Sequence, residues 1–401
     1  MTFLKIKPRL SISILLFLLA LFVLCTAYTQ SISTNIAGTE LEGQGVAYLR
    51  PLMNAMDNVA YHYSLKLRLE AGDASARAKL KIVADATSKA FDDLKDADTR
   101  LAESLQLTNR ALKDHHRENL DASALQSQWQ AIAGSDPNRV TRAQYNQLLD
   151  ALKEKAAYVG DTSTLILDPD MDSYYLMHAM VISMPDTMAH VARGESLATV
   201  AFDRLPSDNG QKTNIGTLAT LLEDIDITHT GSDMQSSYNE DPNHYGVSPT
   251  LKPNTQDKLA EYYSTNQTFA KTLRGLAGGS APIVPTVMEQ AEAAQKANHE
   301  LWDASAQELD VLLHTRIAHF ENQRNIALMK TLLPVLLALA FFVYISHGII
   351  VSLKKLETAM SAISEGALDY AVPCQDMQDE IGSMARTLEK FRKSYWWLDS
   401  R

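Results

Sequence analysis

The sequence predicts an all-α membrane protein: an antiparallel helical bundle on one side of a bilayer, two transmembrane helices, and a short parallel coiled coil on the other side. Three observations carry this. Residues 10–29 and 331–351 form two long runs without Asp, Glu, Lys or Arg. Between them Ala, Leu, Lys, Glu and Gln dominate and β-branched alternation is scarce, which is the composition of helices. Beyond the second run, Leu353, Leu356, Met360 and Ile363 repeat at helical spacing, and Ile381, Met384, Leu388 and Phe391 repeat it again.

At ~1.5 Å per residue each uncharged run spans about 30 Å, the hydrocarbon thickness of a bilayer. Lys5, Lys7 and Arg9 precede the first run, as they would in a signal peptide. The run is long for the apolar core of such a peptide, and no small-x-small cleavage site follows it, so it is read as an uncleaved anchor. The basic residues 1–9 and Lys354-Lys355 then place both termini in the cytoplasm. Arg324 and Lys330, on the outer flank, weaken that bias without reversing it. Residues 30–330 accordingly face outward, 352–398 form the inner module and 399–401 a tail.

The first 29 residues carry a formal +3 and residues 352–401 carry −1, so of the net charge of −11 the part between holds −13. That surface excludes nucleic acid as a partner and suits a solvated exterior, a cation or a small polar solute. The two cysteines, Cys25 and Cys374, fall in the first span and the inner module. The outer part must therefore stand on its helical core without disulfides.

Breakers divide that part at Gly72-Asp73, at Gly134 to Pro137, at Asp168-Pro169, at Leu205 to Gly210, over Asp241 to Asn254, and at Gly278 to Pro282. Thr141 with Gln144 makes a capping box for the helix that follows. Leu301, Trp302, Leu309, Leu312, Leu313, Ile317 and Phe320 give the last outer helix an apolar stripe. Nothing separates this helix from the second span, so one helix runs from about residue 285 through the membrane. Seven or eight helices on short links make an antiparallel bundle, and two stacked four-helix bundles suit the length. The long segment from Asp241 to Asn254 reads as a surface excursion in preference to a lid over a site.

Asp168, Asp170 and Asp172 alternate as in a calcium loop, but Ser173 and Ala179 stand where that loop needs glycine and glutamate. The simpler reading is a helix start, with Asp170 and Asp172 favourable at its N-terminus. His115-His116, His178 and His190 lack zinc spacing, and neither a nucleophile elbow nor a phosphate-cradling glycine loop occurs. The expectation is a protein that is not an enzyme and needs no cofactor.

The inner module carries a family resemblance. Leu353 to Leu356, then Ile363-Ser364-Glu365-Gly366-Ala367-Leu368, then Asp379-Glu380-Ile381-Gly382 resemble a HAMP domain, the linker of bacterial chemoreceptors, sensor kinases and diguanylate cyclases. The resemblance implies a parallel homodimer whose four helices change packing when the entering helix is displaced. It assigns the relay to Ser352, Leu356, Met360, Ile363, Gly366, Leu368, Glu380, Ile381, Gly382 and Leu388. Glu380 matches the carboxylate that couples the two helices, and Gly366 supplies backbone freedom where helix meets connector. Ser352 stands where the family usually has proline; serine can cap a helix, so altered coupling is expected there.

Leu167-Asp168-Pro169-Asp170 with the pair Tyr174-Tyr175, and Glu42-Gly43 with Tyr48 to Leu52, resemble the outer domains of two-span methyl-accepting chemotaxis proteins. Arg193-Gly194 is similar to one of two arginine sites in nitrate- and nitrite-sensing domains, but the other arginine has no counterpart around Tyr61-His62-Tyr63. Arg193 and Tyr174 are the candidate ligand contacts, although Arg193 reads more simply as a surface or interhelical partner. The resemblance implies a bacterial inner-membrane receptor with an unidentified small-molecule or protein ligand in the periplasm, lipid around its spans and a cytoplasmic signalling partner. The alternative is a membrane-anchored scaffold, or a receptor separated from its output. Lys393 to Trp397 suits contact with a membrane surface or a protein, and equally a frameshifted tail.

Overall fold

The computed structural model describes residues 6–137, 139–203, 209–280 and 284–399. The breaks expected at Leu205 to Gly210 and at Ala281-Pro282 lie largely outside them. Twelve α-helices occur among the described residues, without strands. In chain order they are α1 (Ile6–Glu70), α2 (Ala76–Leu101), α3 (Asn109–Asp114), α4 (Ala122–Ala133), α5 (Arg142–Thr162), α6 (Met171–His178), α7 (Met184–Asp203), α8 (Asn209–Thr220), α9 (Ile227–Glu240), α10 (Leu251–Ala277), α11 (Val284–Ser364) and α12 (Glu380–Asp399). The chain divides into two compact units, Thr34–Phe320 and the remainder. α1 and α11 each contain a stretch long and apolar enough to cross a membrane, and neither stretch is buried within the chain.

In the outer unit α11 runs antiparallel to α1, as a ladder of pairs records. Arg316 meets Glu42 at 2.8 Å and Arg50 meets Asp310 at 2.6 Å. Farther along, His299 pairs with Asp57 and Arg68 with Glu292. α5 also runs against α1; Tyr63 and Tyr145 stack with centroids 4.5 Å apart, and the His62 imidazole lies 2.7 Å from the Tyr145 hydroxyl. α6, a π-turn at Ala179–Ser183 and α7 form one rod; α8, a second π-turn at Leu221–Asp226 and α9 form another. One core runs through the outer unit, from Leu49, Phe91 and Trp129 to Met180, Tyr262 and Leu309, and a second cluster gathers around Val191, Phe269 and Val287. Burying each such side chain stabilises the unit by roughly 1.5–3 kcal/mol.

Local chemistry explains the joints. Gly72 takes φ +96° at the first turn, a conformation costly for any residue with a Cβ. The Thr141–Gln144 capping box forms as expected. A π-turn turns a carbonyl away from the helical ladder. At the first of them the Met180 carbonyl accepts from Trp302 Nε1 at 3.0 Å, tying α11 to this rod. The irregular segment after α9 is shorter than expected: α10 begins at Leu251, with Pro253 tolerated in its first turn.

Candidate functional site

The inner module explains its own motif. Gly366 takes φ +95° and ends α11, and the connector turns back. Leu356 and Ile363 of α11, Leu368 and Val372 of the connector, and Ala385 of α12 form one buried cluster, with Ile381 and Leu388 packed on it. Asp379 accepts the Gly382 N–H at 3.0 Å and so caps α12. A Cβ at position 382 would lie 1.8 Å from the Met377 carbonyl oxygen, so only glycine fits. Two arginines outside the recognised pattern pin the connector. Arg386 donates to the carbonyls of Gln375 at 3.0 Å and Met377 at 2.7 Å, and Arg392 donates to that of Leu368 at 2.5 Å. Since Arg392 lies late in α12 and Leu368 just beyond α11, the two helices run in the same direction.

Three relay residues lie outside the buried cluster of the single chain. Met360 is 61 % exposed, and Ala359 occupies the buried position beside it. Met384 is likewise exposed in the single chain. Ser352 caps nothing, because α11 passes through it unbroken. Glu380 opens α12 at an exposed position; in this chain the Asp379 cap and the close fit of Gly382 hold the junction.

In the outer unit a buried charge cluster surrounds Arg316, which is 2 % exposed. Its guanidinium donates to Glu42 at 2.8 Å, to Asp168 at 2.6 Å and to the Ser173 hydroxyl at 2.5 Å, and its Nε lies 2.5 Å from Asp170. The aspartates arrive because Asp168 accepts the Asp170 N–H at 2.9 Å, a tight turn that aims both carboxylates at α11. The run Asp168-Pro169-Asp170 is therefore more than a helix start: it is the acidic half of an ion cluster. Burial, reinforced by the charge of Asp168, pushes Glu42 up to about 8, against the pull of Arg316. Burial also raises Asp168. Burial disfavours the charge on Arg316, but the surrounding carboxylates outweigh it and hold the guanidinium above its usual value.

The segment after α9 closes over this cluster. Asp241 accepts the Ser248 N–H with both oxygens, at 2.9 and 3.1 Å, which staples the loop. Tyr245, at φ +57°, packs against His319, and burial together with the nearby charge of Asp170 pushes its hydroxyl well above its usual range. Between the loop, α6 and α11 lies a cavity of about 90 Å³ walled by Asp170, Asp172, His244 and Arg316, room for a few waters. The segment is thus a cover on a polar site and not merely a surface excursion.

The two candidate ligand contacts lie elsewhere. Arg193 makes a bidentate pair with Asp150 of α5, the interhelical role that was the simpler reading. Tyr174 packs on Tyr175 and His178, with centroids 5.4 and 6.3 Å away. Neither borders the cavity beside Arg316. Arg316 itself escaped sequence reasoning because it lies on the polar edge of an apolar stripe, where an arginine normally faces solvent.

Residues 344–394 match the family model of the HAMP domain. No curated protein and no solved structure matches the chain. The HAMP match and the two candidate spans describe a sensor- or transducer-type protein that carries a signal-relay domain on a membrane anchor.

Proposed function

We propose that this chain is a bacterial inner-membrane receptor of chemoreceptor type, working as a parallel homodimer with both termini in the cytoplasm. It binds a periplasmic signal in the outer unit and hands it to the HAMP domain, which acts on a cytoplasmic partner. One observation carries the reading: α11 is a single helix from Val284 to Ser364, so the residues gripped by the outer core and those of the first HAMP helix belong to one element. Trp302 and Arg316 fix where the outer unit holds that helix. A ligand that favours one placement of α11 over another biases the HAMP packing by its differential affinity, and ~1–3 kcal/mol shifts the populations about five- to 150-fold. The exposed apolar side chains of Met360 and Met384 support the dimer, because a second copy would bury them.

The test is a cysteine cross-linking scan along residues 353–363 and 381–391 in membranes, with Cys25 and Cys374 replaced by serine. A receptor gives inter-subunit cross-links whose pattern moves when a verified ligand binds the outer unit. A scaffold gives one pattern under every ligand tested.

A further inference from the structure

A second and larger cavity, of about 330 Å³, opens between α1, α7 and α11, a volume at the lower end of small-molecule sites. Its wall holds five acidic or basic side chains, Asp57, Glu195, Glu292, Lys296 and His299, alongside polar groups such as Tyr61, Ser64 and Gln295. Four of the five have a counter-charge. Asp57 pairs with His299, Glu292 with Arg68, and Lys296 with Glu300 at 3.6 Å.

Glu195 is the exception. It is 2 % exposed, and its hydrogen bond comes from the Ser64 hydroxyl, at 2.7 Å to one carboxylate oxygen. Among the described residues no cation lies within ion-pair distance of it. A buried carboxylate in that position is costly unless something supplies positive charge. Gln295 holds this wall in place: its amide nitrogen donates to the Met188 carbonyl at 2.9 Å. The second Glu195 oxygen, outside the Ser64 bond, is an acceptor on the cavity wall waiting for an N–H donor. A primary ammonium is compact, positively charged and carries three such donors.

We infer that this cavity binds a small organic cation bearing a primary ammonium group, with Glu195 as its counter-ion. The inference rests on the receptor reading only for its consequence; the site stands or falls by binding alone. The cavity touches α1 and α11 together, so an occupant bridges the helix that enters the outer unit and the helix that leaves it.

The experiment is isothermal titration of the full chain in lipid nanodiscs with putrescine, and with succinate as the anion of matching length. Glu195→Gln removes the charge while keeping the shape, and Asn58→Trp fills the cavity from its open side. Both variants are first checked for helical content and a cooperative melt. The expected result is saturable putrescine binding that weakens at least tenfold in each variant, with no binding of succinate. Absence of putrescine binding, or equal binding to wild type and Glu195→Gln, overturns the proposal. Binding of succinate alone also overturns the cation assignment, while leaving a receptor for some other ligand. Putrescine binding lost in Glu195→Gln, but with HAMP cross-links that stay unchanged, supports the site and counts against the receptor reading.

Discussion

Replacing Arg316 by methionine removes the guanidinium from a cluster of three carboxylates. Methionine keeps most of the volume, so the effect is electrostatic. The substitution leaves Asp168, which is almost wholly buried, without its ion-pair partner, while the less buried Asp170 keeps His244 at 3.4 Å. Breaking a buried pair from one side typically destabilises by about 3–5 kcal/mol. At about 2 °C per kcal/mol for a unit of this size, the melting temperature at pH 8 should fall by roughly 6–10 °C.

The pH dependence distinguishes this from simple loss of packing. Glu42 is raised from 4.5 to about 8 in the folded state, so the folded state holds its proton more tightly. Stability from that proton is fully present below 4.5 and is lost as pH rises through about 8. Without Arg316 the carboxylates rise further, and the variant should lose stability more steeply than wild type between pH 5 and pH 8. The assay is thermal melting of the full chain by circular dichroism at both values. A second change, Asp168→Asn, should recover about half of the loss in the Arg316→Met background and destabilise the wild type. A drop below about 2 °C at pH 8, or equal drops at both pH values, would refute the reasoning.

Three further outcomes are expected. Glu195→Gln should raise the melting temperature at pH 8 and leave it near wild type at pH 5. Burial lifts Glu195 from 4.5 to about 7, so its favourable proton is lost as pH rises through about 7, a penalty of roughly 3 kcal/mol that an amide does not carry. Gly382→Ala drives a Cβ into the Met377 carbonyl and should speed amide hydrogen exchange across the connector and α12 by at least tenfold, while the melt of the outer unit stays unchanged. Trp302→Phe leaves the Met180 carbonyl buried without a donor; a loss of about 1–3 kcal/mol, read as a fall of a few degrees in the melt, is expected.

Much of the fold was legible because it rests on local rules. Uncharged runs marked the spans, Gly72 and Gly366 marked turns that need positive φ, and Thr141–Gln144 marked a helix start. The HAMP glycine and the tetrad from Asp379 to Gly382 were legible for the same reason, since cap and close approach fall within a few residues of each other. The buried cluster was not legible, because Arg316 meets Glu42 and Asp168 across 274 and 148 residues of chain. Nothing local separates this arginine from the solvent-facing ones beside any apolar stripe. The first π-turn was hidden too, since the carbonyl it frees is met by Trp302 reaching in from another helix. Met360 was placed on a stripe that needs association to be covered; in the single chain the small Ala359 fills the buried site and Met360 stays exposed.

The relay itself is tested most directly by electron-spin distance measurements between two copies of the chain, labelled at position 360 or at position 391, in nanodiscs. A receptor predicts two inter-subunit distance populations whose ratio changes at least fivefold when a ligand saturates the outer unit, and whose response disappears in Gly382→Ala. A single population, unchanged by a ligand shown to bind, would contradict it.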